Sequence, residues 1–170
     1  YPYSRDAIDP EAIAMGVKPD QRTVGGRNGS DWMVATNTIG VNEGEVELLF
    51  RHVMAAVEVE IRGGDVIMPN EKLEVQMTEV CLTNSHHLGT GMFVAENGTG
   101  TLDMWRLENA TDMDSFTYRA LLPAQTLGKG IPVFRCLQDG KIYIYRGEEI
   151  ILERGNRTRF VFTLKSGSEL

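Results

Sequence analysis

His86 and His87 form an adjacent histidine pair, and with Glu79 or Cys81 they are the residues best suited to a zinc site. Neighbouring side chains on a strand point to opposite faces, and no second half of a metal motif follows, so a polar loop beside Asn84-Ser85 is the favoured reading. Asp112-Met113-Asp114 offers oxygen ligands for calcium but lacks the glycine and downstream glutamate of an EF-hand loop, and reads as a solvated turn. His52 could act as a general base, yet no nucleophile or carboxylate can be placed beside it; a buried histidine bonded to the backbone fits better. Gly128-Lys129 lacks the preceding glycine and following Ser/Thr of a phosphate cradle. Trp32, Trp105, Tyr143 and Tyr145 could build a sugar-stacking platform, although scattered aromatics in an all-β chain more often serve as core and cross-strand pairs. Asn-x-Ser/Thr sites at Asn28, Asn97, Asn109 and Asn156 matter only in a glycosylating host. There is no GxSxG, HExxH, Walker loop or GxGxxG. The expectation is therefore no enzyme, with no catalytic, cofactor-binding or metal-ligating residue.

The net charge of −7 and pI of about 5.0 argue against nucleic acid or an anionic membrane as the main partner. The 170 residues suffice for one buried domain of ~100–150 residues and an extra segment. No apolar run approaches the ~18–20 residues of a membrane span. Tyr1 is preceded by neither a Met nor a basic or apolar leader, so we expect a processed or excised piece whose targeting signal lies upstream. Cys81 and Cys136 sit in strand-like runs outside any CxxC. Two small core residues is the favoured reading, and a disulfide in an exported protein stays open.

The elements that must carry these residues are strands. In Val46 to Ile61 the apolar residues alternate in two phases: Val46, Leu48 and Phe50 share one face, and Val53, Ala55, Val57, Val59 and Ile61 share the other. Such a change needs a turn, bulge or corner, here at Arg51-His52. Further strand signals are Leu73–Met77, Met92–Ala95, Leu102–Leu107, Phe116–Ala120, Val133–Leu137, Ile142–Tyr145, Ile150–Leu152 and Phe160–Leu164. Asn97-Gly98 and Asp139-Gly140 mark hairpin turns. About eight short strands with turns every ~8–12 residues predict an antiparallel β-sandwich. Val57, Val59, Ile61, Val75, Met77, Phe134, Phe162 and Leu164 are expected in one core. Residues 1–42 differ: they hold three of the six prolines, at most one or two helical turns over Glu11–Met15 with Asp9 as the cap and Pro10 at the first helical position, and a short strand over Trp32–Ala35. We expect 1–42 to be the end of an upstream β domain or an interdomain segment, and 43–170 to be the sandwich.

Phe50-Arg51-His52-Val53-Met54-Ala55-Ala56-Val57-Glu58-Val59 resembles the F-x-H-x-(L/M)-A-(K)-V-x-V signature of fimbrillin-like proteins of Bacteroides-type bacteria. Tyr1-Pro2-Tyr3-Ser4 resembles the strand end that precedes it. Asp20-Gln21 with Ser30-Asp31-Trp32-Met33-Val34-Ala35 is similar to a further family element. Leu121-Leu122-Pro123-Ala124-Gln125-Thr126 resembles the (V/I)-P-Q-T motif, and Asp139-Gly140-Lys141-Ile142-Tyr143 through Gly155-Asn156-Arg157-Thr158-Arg159-Phe160 resembles the family's ending. Ala124 is an insertion, Ala56 stands where Lys is common, and Phe160 where Tyr is common.

The resemblance implies transthyretin-like Greek-key sandwiches, lipoprotein export to the outer membrane and cell surface, and a non-catalytic pilus subunit or accessory adhesin without cofactors. Its partners would be other pilin subunits or surface proteins, with host or bacterial glycans as further ligands. It also implies assembly by strand donation, in which an extended segment of one subunit completes another's sheet. Arg159 to Leu164 could pair at an edge, although an ordinary internal strand is the favoured reading. The alternative function is a carbohydrate-binding surface lipoprotein, which needs coplanar exposed aromatics.

Overall fold

The computed structural model describes residues 13–37, 44–64, 73–96, 98–108 and 115–165. Its strands in chain order are β1 (Ile13–Gly16), β2 (Met33–Val34), β3 (Arg51–His52), β4 (Ala55–Gly63), β5 (Leu73–Val80), β6 (Thr83–His87), β7 (Met92–Ala95) and β8 (Gly100–Asp103). They continue as β9 (Trp105–Arg106), β10 (Ser115–Leu122), β11 (Gln125–Leu127), β12 (Pro132–Gln138), β13 (Lys141–Arg146), β14 (Ile150–Leu152) and β15 (Arg157–Leu164). One short helix, α1 (Val24–Asn28), lies between β1 and β2.

Two four-stranded sheets, β15-β4-β10-β9 and β13-β12-β5-β8, pack into a sandwich, with the small sheets β1-β6-β7, β11-β14 and β2-β3 around it. The fold is all-β. Neighbours within the two large sheets run antiparallel except β15, which lies parallel to β4.

Period-two alternation on β4 explains the core. Ala55, Val57, Val59 and Ile61 point inward and are at most 1% exposed. They meet Phe116, Tyr118, Ala120 and Leu122 of β10, and Val75, Met77, Phe134 and Cys136 of the facing sheet, in one apolar cluster. All eight residues expected in a common core belong to it. Burial of each large aliphatic side chain contributes roughly 1.5–3 kcal/mol. The Tyr118 hydroxyl donates to the Leu73 carbonyl oxygen at 2.7 Å, tying the two sheets together. Met15 and Val17 also join this cluster, so the segment before α1 packs on the sandwich.

The Asp139-Gly140 signal is a two-residue hairpin: both residues have positive φ (47° and 78°), as a type I′ turn requires, and they join β12 to β13. Arg51-His52 marks the phase change, with Val53 buried after it. The run before it differs from expectation. Residues 46–50 lie outside any strand, and Val46, Leu48 and Phe50 are about half exposed. Alternation makes a strand only where a neighbour completes the backbone ladder. No described strand lies beside this run, and the Glu47 carbonyl oxygen accepts from Asn37 Nδ2 instead, at 2.6 Å.

Other expectations are corrected by tertiary pairing. Of the expected helical turn, Ile13–Met15 belongs to β1, paired with β6, while Asp9 to Ala12 lie outside the described residues. His86 and His87 are in strand β6 rather than a loop. Leu102–Leu107 is two strands, because the chain passes from one sheet to the other at Met104. Met104 and Trp105 are both buried, a break in period two that marks the switch. Finally, β15 is an edge strand of its sheet among the described residues, not an internal one.

Candidate functional site

The sheet switch at Met104 creates a local problem, and Gln21 resolves it. Thr117, Arg119 and Leu121 of β10 direct their backbone groups toward β9; Leu107 N–H donates to Thr117 O at 2.8 Å, and Trp105 pairs with Arg119. By the same count residue 103 would serve Leu121, but it has already left for the other sheet. The Gln21 side chain takes its place: Nε2 donates to Leu121 O at 2.7 Å, and Leu121 N–H donates to Oε1 at 2.9 Å. Gln21 has no exposed surface. Its own N–H donates to Asp103 O at 3.1 Å, and Asp103 N–H to Pro19 O at 2.7 Å, so the displaced strand anchors its substitute. Gln125 does the same for Cys81, accepting from Cys81 N–H at 2.8 Å and donating to Cys81 O at 3.0 Å. At Gly26 a Cβ would overlap the Asp20 carbonyl oxygen, so glycine is required where α1 packs beside this anchor.

The outer face of β4 carries two nearly buried carboxylates, Glu58 and Glu60, each 7% exposed. Glu58 pairs with Arg119 of β10 and with Arg157 of β15 at 3.5 Å. Glu60 pairs with Arg62 at 2.5 Å and with Arg159 of β15. The arginines of β15 each reach a carboxylate two positions ahead of their register partner (Arg157↔Ala56, Arg159↔Glu58). The edge strand is thus fastened on one face by ion pairs and on the other by Phe162 and Leu164. The hydrogen bond from Arg62, and then that from Arg159, hold the Glu60 carboxyl below its ordinary value of 4.5. A depressed folded value means the contribution is complete above the unfolded value and is lost as pH falls through the folded one. Stability should therefore decline below about pH 4.5, and a thermal-melt series should show that decline flattened in Glu60→Gln.

A cleft of about 550 Å³ opens where α1, β3, the start of β4, β9, β10 and the turn into β15 meet. Its charged lining is Arg27, Arg119 and Arg157 with Asp31 and His52; its apolar lining includes Val24, Met54, Trp105 and Leu121; Asn28 and Asn156 complete the rim. Arg27 lies over the Trp105 ring, 5.9 Å from its centre.

The residues singled out from sequence fall as follows. His52 is exposed and pairs with Asp31 Oδ1 at 2.7 Å, so the expected buried, backbone-bonded histidine is overturned: the carboxylate comes from the loop before β2. His86 is buried, pairs with Met92 O at 3.1 Å and stacks on Phe93 at 4.1 Å, whereas His87 points the other way and accepts from Thr90 N–H. No group of three or more potential metal ligands occurs among the described residues. Lys129 pairs with Glu148 at 2.8 Å. Trp32 donates to Gly16 O, while Trp105 and Tyr143 are buried, and Tyr145 packs on Phe134 and Phe162. These four aromatics do not form an exposed row. Cys136 is buried, which pushes its thiol up to about 12; Cys81 is half-buried, and both cysteines are free. Asn28 and Asn156 are exposed. Asp112 to Asp114, Asn97 and Asn109 lie outside the described residues.

Sequence reasoning missed the roles of Gln21 and Gln125, and the ionic face of β4. A signal for the latter was present: Glu58-x-Glu60 and Arg157-x-Arg159 share the spacing of one strand face.

The molecule is thus a two-sheet β-sandwich with a cleft and a fastened edge strand. Its sequence matches the fimbrillin-like profile over residues 1–170, and the chain belongs to the fimbrillin-like family. Its fold is similar to a candidate cell adhesion protein of Bacteroides ovatus (TM-score 0.73, 20% identity, covering 92% of this chain and 56% of that one). It is also similar to candidate cell adhesion proteins of Bacteroides uniformis (0.69, 14%, 98% and 66%) and Bacteroides thetaiotaomicron (0.62, 13%, 100% and 66%). The chain spans between 56% and 66% of the length of these three proteins. No curated protein sequence matches it. No helix among the described residues is long and apolar enough to cross a membrane.

Proposed function

We propose that this chain is part of a non-catalytic cell-surface fimbrial subunit or accessory adhesin that assembles by β-strand donation. Membership of the fimbrillin-like family over residues 1–170 carries the reading. The position of β15 supports it: this strand has β4 as its sheet neighbour and no second one among the described strands, so it offers an edge to which another chain's segment can add. The alternation of β15 gives such an added strand a defined register. In this reading residues 1–42 are the end of an upstream β domain or an interdomain segment of a longer exported lipoprotein, and the partners are other subunits and surface molecules rather than nucleic acid.

The test is the mass and oligomeric state of the secreted protein before and after limited proteolysis. SDS-resistant ladders that appear on cleavage are the expected result. A monomer that persists through cleavage, at concentrations where a control fimbrial subunit polymerises, would sink the strand-donation reading.

A further inference from the structure

β15 keeps an open edge among the described strands, and one exposed segment of the same chain carries the side chains that fit it. We propose that residues 45–50 add to β15 of a second copy, parallel to it. Glu45, Glu47 and Leu49 then stand opposite Arg157, Arg159 and Val161, with Leu48 and Phe50 opposite Phe160 and Phe162. The inference rests on the strand-donation reading and names its donor and its acceptor.

The outer face of the sheet sets the charge of the missing neighbour. Register places Arg119 of β10 and Arg159 of β15 on either side of Glu58. The signs alternate from strand to strand: Arg119 on β10, Glu58 and Glu60 on β4, Arg157 and Arg159 on β15. On the outward positions of these three strands four guanidinium groups (Arg62, Arg119, Arg157 and Arg159) face two carboxylates. The turn before β15 adds one charge of each sign, Glu153 and Arg154. Two carboxylates at period two on the next strand complete the pattern, because opposite charges across a ladder attract. Glu45-x-Glu47 has that spacing. The Arg157 and Arg159 side chains remain 63% and 59% exposed, and each guanidinium has more N–H donors than one carboxylate uses.

The apolar side chains fit the same register. Extended, residues 45–50 put Val46, Leu48 and Phe50 on the face opposite to Glu45 and Glu47. On β15 the matching face carries Phe160 and Phe162; Phe160 stays half-buried at the open edge although its ring packs on Phe134 at 4.9 Å. An antiparallel register that keeps both carboxylates beside the arginines places Val46 opposite Thr158 and carries Leu48 and Phe50 past the start of β15. The bond that the Glu47 carbonyl oxygen accepts from Asn37 comes from an exposed side chain and leaves a second lone pair for a ladder bond.

This pairing forms between copies. Phe162 lies beside Ile61, six residues and roughly 20 Å along β4 from Ala55. Phe50 is two residues, at most about 7 Å, from His52. The His52 carbonyl oxygen lies against Gly155 in the turn below β15, 3.1 Å from where a Cβ would stand. The segment therefore falls short of its own β15 in this register. Donor and edge are different patches of one chain, so the contact is heterologous and extends head to tail.

Oxidative crosslinking of mixed single-cysteine chains tests this, since a six-residue contact is small and associates weakly. Leu49 and Val161 are exposed, and opposite residues on adjacent strands lie within disulfide reach. Leu49→Cys mixed with Val161→Cys should give a disulfide-linked dimer well above the parent, whose Cys81 and Cys136 set the background. Adding Glu45→Lys and Glu47→Lys to the Leu49→Cys chain should cut the yield about tenfold or more, through like charges across the ladder. A yield no higher than the parent's, or one matched by Leu49→Cys with Ile142→Cys on the facing sheet, would overturn the proposal. More product from Glu45→Cys with Val161→Cys than from Leu49→Cys with Val161→Cys would reverse the strand direction and overturn the register. If the Glu45→Lys, Glu47→Lys chain polymerises on proteolysis as the parent does, the donor is another segment: this inference falls and strand donation stands. A chain that neither polymerises nor crosslinks removes both.

Discussion

Val59→Asp should leave the chain unfolded or insoluble at 25 °C. Val59 has no exposed surface and sits at the middle of β4, between Tyr118 of β10 and Phe160 of β15 in register. Its side chain faces the apolar cluster, while the arginines that neutralise Glu58 and Glu60 lie on the opposite face of the same strand. An ionised carboxylate buried there costs several kcal/mol or more, and its protonation only replaces part of that cost with an unsatisfied hydroxyl and lost apolar contact. The whole margin of stability of a domain is about 5–15 kcal/mol. Ile151→Asp is the matched control. Ile151 is 61% exposed on β14, and an exposed substitution should change stability by about 0.5 kcal/mol at most. Far-ultraviolet circular dichroism and melting of both variants check this. A soluble Val59→Asp protein with the parent melting temperature would contradict the inward assignment of β4 and, with it, the core.

That assignment was legible in the sequence because one strand face must be apolar throughout. Val57, Val59 and Ile61 announce it, as do Val75 with Met77 and Phe162 with Leu164. The Asp139-Gly140 hairpin was legible for an equally local reason, the positive φ its turn demands. What alternation cannot report is the neighbour. Val46 to Phe50 alternates as well as β4 does, yet no described strand pairs with it. Ile13 to Gly16 and Thr83 to His87 lack a strong pattern and become strands because each supplies the other's ladder. The cleft was less legible still. His52 and Asp31 are 21 residues apart, and Arg27, Trp105 and Arg157 come from three separate segments, so their meeting follows from topology and from no local pattern. The motif residues Gln21 and Gln125 could be recognised by resemblance, but their task could not be read until the ends of the neighbouring strands were placed.

Gln21→Ala should cost the most among substitutions that leave the apolar core intact. It removes a donor and an acceptor from Leu121 at a site with no exposed surface, and each backbone group left without a partner costs about 1–3 kcal/mol. The space vacated by the amide can admit a water that recovers part of this. A net loss of about 3–4 kcal/mol is expected, which at roughly 2–4 °C per kcal/mol for a chain of this size lowers the melting temperature by about 6–16 °C. Gln21→Glu separates the hydrogen-bond account from a simple packing effect, because its shape is nearly that of the amide. As a neutral acid it can accept from Leu121 N–H and donate to Leu121 O; as a carboxylate it has nothing to donate and faces the Leu121 carbonyl oxygen. Burial and that oxygen raise its folded pKa above the unfolded one, so the penalty is small below the ordinary carboxylate range and grows as pH rises through it. Melts of Gln21→Glu should therefore approach the parent near pH 4 and fall well below it near pH 7, while Gln21→Ala stays low at both. If Gln21→Glu tracked the parent across that range, the side chain would be filling space rather than completing the ladder that β9 leaves open.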